Sequence, residues 1–168
     1  MSEDSFLIKK CQSESDDKKF GICDEPPPNT APAYIDEKNG QDWIAVVNNE
    51  PRFLVVFTAI DHCISLMRDD GKQDKQCDGV LTFESTIIFV ELKNRKPRRN
   101  KWVKDGELQL RHTIKQFERT EEAQQYLTKK AYIANSQHPK FKSSQIRRME
   151  QFLEDTGYVL RIENRIIL

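Results

Sequence analysis

Apolar and polar positions fall into blocks along the chain, and the sharpest block is TIIFVELK at residues 86–93. Ile87, Ile88, Phe89 and Val90 run together there before Glu91 and Lys93. A continuous run of β-branched and aromatic residues predicts a strand buried on both faces. Residues two apart in a strand share a face, so Glu91 and Lys93 point the same way while Leu92 points into the core. CDGVLTF, residues 77–83, precedes this run across the short Glu84–Ser85 connection, which predicts a tight antiparallel hairpin. That pairing sets Asp78 beside Glu91.

The rest of the pattern is less even. FLVVFTAI, from Phe53, is a buried strand or a short helix, and periodicity does not separate the two. ISLMRDDGKQDKQ, from Ile64, reads as a strand followed by a polar Asp-Gly turn. Leu110, Ile114 and Phe117 recur at i, i+4 and i+7, predicting a helix from near Asp105 to about Leu127. KKAYIANSQ, from Lys129, is a short strand that ends at His138-Pro139. SSQIRRMEQFLEDTG, from Ser143, predicts a second helix with serine caps and a stop at Gly157. Its expected apolar face is Ile146, Met149 and Leu153. YVLRIENRIIL closes the chain as β structure, in two short strands around Glu163–Asn164.

Upstream, Trp43–Val47 is a short apolar run followed by the turn-forming NNEP. Residues 1–40 read as a weakly structured, acidic, proline-containing segment, anchored by Phe6, Leu7, Ile8 and Phe20. Residues 41–168 then form one α/β domain with helices packed over a central sheet.

Composition narrows the setting. No apolar run approaches the roughly 20 residues of a membrane span, so no membrane role is expected. The start, MSEDSFLIKK, lacks the order of a secretory signal, which makes the cytoplasm the expected location. Cys11, Cys23, Cys63 and Cys77 are scattered without a CxxC pair, so free thiols are expected rather than a disulfide framework or a zinc site.

The formal net charge of zero hides an asymmetry: residues 1–50 carry an excess of six acids and residues 51–168 an excess of six bases. The bases are densest in KNRKPRRNKWVK, residues 93–104, which holds seven and no acid. Arg95, Lys96, Arg98, Arg99, Lys101 and Lys104 are therefore the candidate phosphate contacts to a nucleic acid. Trp102 among them either stacks on a base or anchors the segment to the core.

Asp78, Glu91 and Lys93, with Gln109 early in the following helix, resemble the PD-(D/E)xK nuclease superfamily, with a match over about residues 53–134. The closest likeness is to small stand-alone bacterial members, with Cys77-Asp78 standing where the pattern has proline-aspartate. The resemblance implies a restriction-endonuclease-like fold, a three-layer α/β/α sandwich with a mixed central sheet. It also implies a Mg²⁺-dependent nuclease, Mn²⁺ substituting, acting on DNA rather than RNA. Hydrolysing a phosphodiester needs negative charge neutralised and a hydroxide generated near neutral pH, and a hard cation on oxygen ligands does both. Asp78, Glu91 and the Leu92 carbonyl would hold it, Lys93 would orient the attacking water, and Gln109 would bind water or phosphate.

Taken singly, each residue has an ordinary explanation: a turn aspartate, a surface ion pair, a solvated glutamine. Their joint placement argues otherwise, because charges buried at a strand end are costly without compensation. Asp61-His62 would bring a further acid to the site or simply form a turn, and His112 lies one helical turn past Gln109. The rival expectation is a catalytically inactive module of the same fold that binds nucleic acid or a protein partner, with the acidic first 50 residues covering the basic groove or docking elsewhere. A homodimer is a third expectation, drawn from the apolar C-terminus Ile166-Ile167-Leu168.

Overall fold

In a computed structural model, residues 6–26, 30–67, 70–72, 75–94, 101–137 and 145–168 are described. In chain order the strands before the first helix are β1 (Gln12–Ser15), β2 (Lys19–Cys23), β3 (Tyr34–Asp36), β4 (Ala45–Asn48), β5 (Val55–Ala59), β6 (Gly79–Phe83) and β7 (Thr86–Lys93). They are followed by α1 (Lys101–Phe117), β8 (Thr128–Asn135), α2 (Ile146–Thr156), β9 (Val159–Ile162) and β10 (Arg165–Ile167). The fold is mixed α/β, with one sheet in the order β1-β5-β6-β7-β8-β9 and a second in the order β10-β4-β2-β3.

β7 is central because its sequence leaves it nowhere else to go. Ile87 and Phe89 enter a core shared with both helices, whereas Ile88, Val90 and Leu92 enter a core shared with the second sheet. It pairs antiparallel with β6 and parallel with β8, the α1 crossover returning the chain to the same end. α1 buries Trp102, Val103, Leu110, Ile114 and Phe117 on that helical side. Arg111 and Arg148 clamp the two helices together: Arg111 Nε and Arg148 Nη1 donate to the Glu107 carboxylate at 2.6 and 2.5 Å. Arg111 Nη1 also reaches Asp155 Oδ2 at 2.9 Å.

Several sequence expectations need correction. Among the described residues, the core on one face of the large sheet is shared with both helices and the core on the other face with the second sheet. Within residues 1–40, the described stretches supply β1 to the large sheet and β2 and β3 to the small one. Phe20 and Ile22 are fully buried, which repays the ordering of a polar segment.

α1 ends at Phe117, well before Leu127, because the Thr120 hydroxyl donates to the Phe117 carbonyl at 2.7 Å and the chain tightens into a turn. Ala123 then dips into the core within a short 3-10 helix (Glu121–Gln125), leaving Leu127 84% exposed. α2 buries Phe152 rather than Ile146 or Leu153, which are both exposed, with Met149 partly buried beside it. Gly157 does stop α2, at φ 79°, while the proposed serine caps lie outside the described residues.

Among the described residues, 64–67 form no strand, and Met67 alone makes an isolated bridge. The buried Gln76 side chain takes their backbone groups instead, donating to the Ile64 carbonyl at 2.7 Å and accepting the Leu66 N–H at 2.8 Å. Cys11 and Cys63 form a disulfide, against the expectation of free thiols, and only Cys23 and Cys77 are free and buried. Among the described residues, no helix is long and apolar enough to cross a membrane.

Candidate active site

The β6–β7 hairpin sets the geometry. Its two-residue connection puts Glu84 at φ 49°, the left-handed conformation that such tight turns require. The register pairs Gly79 with Val90, so the next step places Asp78 across from Glu91. Gly79 is obligatory for this approach: a Cβ there would stand 2.3 Å from Phe57 Cζ.

Asp78 is half-buried, and its Oδ2 accepts the Leu92 backbone N–H at 2.7 Å. Lys93 Nζ lies between Glu91 Oε2 and Gln109 Oε1, 2.8 Å from each. Gln109 Nε2 in turn donates to the Gln76 carbonyl at 3.2 Å. The structure thus brings Asp78, Glu91, Lys93 and Gln109 to one end of β7.

Two supports were not foreseen. Thr113 Oγ1 accepts the Cys77 N–H at 2.8 Å and donates to the Gln109 carbonyl at 2.9 Å, tying α1 to the head of β6. The available signal was a threonine inside the buried stripe of α1, one turn beyond Gln109. Asp24, just after β2, is the other, and it is drawn in only because the second sheet folds over this end.

The electrostatics are those of a crowded acidic pocket. Burial, and then the neighbouring Glu91 charge, push Asp78 well above the ordinary carboxylate range. Glu91 is also raised by burial, opposed by Lys93. Glu91 Oε1 is buried with no partner beyond the neighbouring Asp78 carboxyl, whose proton the pair can share. Asp24 is pushed up to about 6, by burial first and Asp78 second, with Asp61 adding to the rise and His62 opposing it. Asp61 and His62 lie in a turn, His62 at φ 65°, with His62 Nε2 3.3 Å from Asp61 Oδ2.

The Cys77 thiol is fully buried and held well above its usual range by that burial, which keeps it protonated and a poor nucleophile. Trp102 is 3% exposed and anchors its segment to the core, which removes it as a stacking platform. Of the candidate phosphate contacts, Lys101 and Lys104 are exposed on the first turn of α1, whereas Arg95, Lys96, Arg98 and Arg99 lie outside the described residues, as does His138.

Among the described residues, no three or more His, Cys, Asp or Glu side chains are arranged to hold a metal ion. The donor set that is present is a pair of neighbouring carboxylates, Asp78 and Glu91. It suits a hard cation that keeps several waters and takes its remaining ligands from substrate oxygens. Comparison with known proteins gave no matching family model, no matching curated protein and no matching solved structure.

Proposed function

We propose that this chain is a Mg²⁺-dependent nuclease of the PD-(D/E)xK type, with a restriction-endonuclease-like arrangement of β5-β6-β7-α1-β8, acting on DNA. The observation that carries the reading is the meeting of Asp78, Glu91, Lys93 and Gln109 at a single strand end, the buried Glu91 Oε1 having no partner beyond the Asp78 carboxyl. Two buried carboxyls side by side are costly in ionised form unless a shared proton or a cation offsets their charge. Asp78, Glu91 and the Leu92 carbonyl would hold Mg²⁺. When bound, the cation supplies charge neutralisation at the phosphate and a more acidic water.

The chain's own residues do the rest. Lys93 places a positive charge where the phosphate gains negative charge, and Gln109 fixes the direction of its ammonium group. Glu91 holds Lys93 from the opposite side, so this charge is pre-positioned before substrate arrives. Lys101 and Lys104 extend a cationic approach along α1, continuous in sequence with residues 95–100.

A second reading is favoured by one specific observation: Lys93 is already paired on two sides, as in a scaffold that has settled without substrate. That reading is a non-catalytic module binding nucleic acid or a protein. Incubation of plasmid and single-stranded DNA with Mg²⁺ or Mn²⁺ decides between them. Wild-type cleavage that is lost in Glu91→Ala and Lys93→Ala is the expected result. Equal activity in all three proteins rejects the nuclease, and metal-independent DNA binding without cleavage supports the module.

A further inference from the structure

A cavity of about 470 Å³ opens at the same end of β7 but on the side of the second sheet. We propose that it binds a nucleobase carrying an exocyclic amino group, seated beside the phosphate held at Asp78 and Glu91. This deepens the nuclease reading and rests on it. The two sites adjoin: Asn94, which lines the cavity, directly follows Lys93, and Asp24, also lining it, is close enough to Asp78 to feel its charge.

The described lining is acidic and aromatic, and suits a base better than a phosphate. Asp24, Glu25 and Asp42 contribute carboxylates, and among the described residues no lysine or arginine lines the cavity. A phosphodiester would be repelled there, whereas an exocyclic amine is a donor that carboxylates accept. The size falls in the usual range for small-ligand sites.

Trp43 supplies a ring that is fixed in advance. Its Nε1–H donates to Asp36 Oδ2 at 2.8 Å. Its indole lies on Gly21, where a Cβ would come within 1.9 Å of Cγ. A platform clamped in this way stacks on a base at little entropic cost.

Asn94 is oriented just as firmly. Its Oδ1 accepts from Ser136 Oγ at 2.5 Å and from Gln137 Nε2 at 3.1 Å. Both bonds occupy the acceptor, which leaves the Nδ2 group of Asn94 as the donor available at the rim of the cavity. A donor beside carboxylate acceptors matches the acceptor–amine edge of adenine or cytosine. Thymine, with carbonyls in place of the amine, leaves the carboxylates unmatched.

The test titrates cytidine, deoxyadenosine, thymidine and spermidine into the ¹⁵N-labelled full chain, observing the Trp43 indole N–H and the Gln137 side-chain amide. Cytidine and deoxyadenosine are expected to shift both signals saturably, with thymidine about ten-fold weaker, the discrimination of one good donor–acceptor pair. The exposed-residue variants Gln137→Ala and Asp42→Asn should each weaken the response without unfolding the protein. No saturable shift, an equal response to thymidine, or an equal response to spermidine overturns the proposal. Selective nucleoside binding in a protein that cuts no DNA leaves the base pocket standing and removes the nuclease reading. Cleavage without nucleoside binding does the reverse.

Discussion

Asp78 sits against its own interest at neutral pH. Burial and the adjacent Glu91 raise its folded-state pKa well above the unfolded value near 3.8. The folded chain therefore binds that proton more tightly, and stability falls as pH rises from about 4 through the folded pKa. Asp78→Asn should stabilise the fold at pH 8 and do little at pH 4, because the amide carries no charge to bury. Asp24→Asn should flatten the same fall in the narrower window from 3.8 to about 6. Urea midpoints across pH measure both. If the carboxylates hold a cation, Mg²⁺ should stabilise the wild type at pH 8 and leave Asp78→Asn unmoved.

Lys93 and Glu91 are a buried pair, 8% and 2% exposed. Removing the lysine strands a charge, so Lys93→Met should cost about 3–5 kcal/mol, and adding Glu91→Gln should recover most of it. Additive losses in that double-mutant cycle would mean the two side chains are not coupled.

At the scale of the elements, the β6–β7 hairpin does two jobs: it forms the middle of the large sheet and aligns the two carboxylates. Both depend on Gly79, which lets β6 approach Phe57. Gly79→Ala should cost about 1–3 kcal/mol by overpacking and lower any Mg²⁺-dependent cleavage by shifting Asp78. Gly40→Ala, where nothing lies within 4 Å of the added carbon, is the matched control and should be near neutral. Denaturation and cleavage measured side by side check the pair.

The hairpin was legible because its signals are local: an apolar run, a two-residue turn, and charges at a strand end. The end of α1 was not, because the Leu110, Ile114 and Phe117 periodicity says where a helix is buried and nothing about where the Thr120 hydroxyl stops it. Residues 64–67 misled for a different reason. Their backbone partner is the Gln76 side chain, ten residues or more away, and no propensity encodes such a bond. At the site, Glu91 and Lys93 could be paired from spacing alone, whereas Thr113 and Asp24 enter only through tertiary packing.

At the scale of the molecule, the N-terminal third is where reading and structure part. β2 and β3 are short and flanked by proline and charge, and their stability comes from β4 and, beyond it, β10 at the far end of the chain. Composition reports the solvent-facing half of such strands and hides Phe20 and Ile22 inside.

The Cys11–Cys63 disulfide then ties this third to the segment that carries Asp61 and His62, closing a separation of 52 residues. Cross-linking a loop of that size removes unfolded-state entropy worth about 2–4 kcal/mol. Cys11→Ser and Cys63→Ser should each lose about that much in urea unfolding, and a reductant should lower the wild type to the level of the variants. Because Ile60 and Asp61 bond backbone to backbone with Asp78 and Cys77 at 2.9 and 3.2 Å, loosening residues 60–63 should also perturb the acidic pocket. The pH dependence of stability in the serine variants should therefore be shallower than in the oxidised wild type. Alkylation under denaturing, non-reducing conditions checks the premise: two of the four cysteines should react. Labelling of all four would show no cross-link, and the serine substitutions should then leave both stability and its pH dependence unchanged.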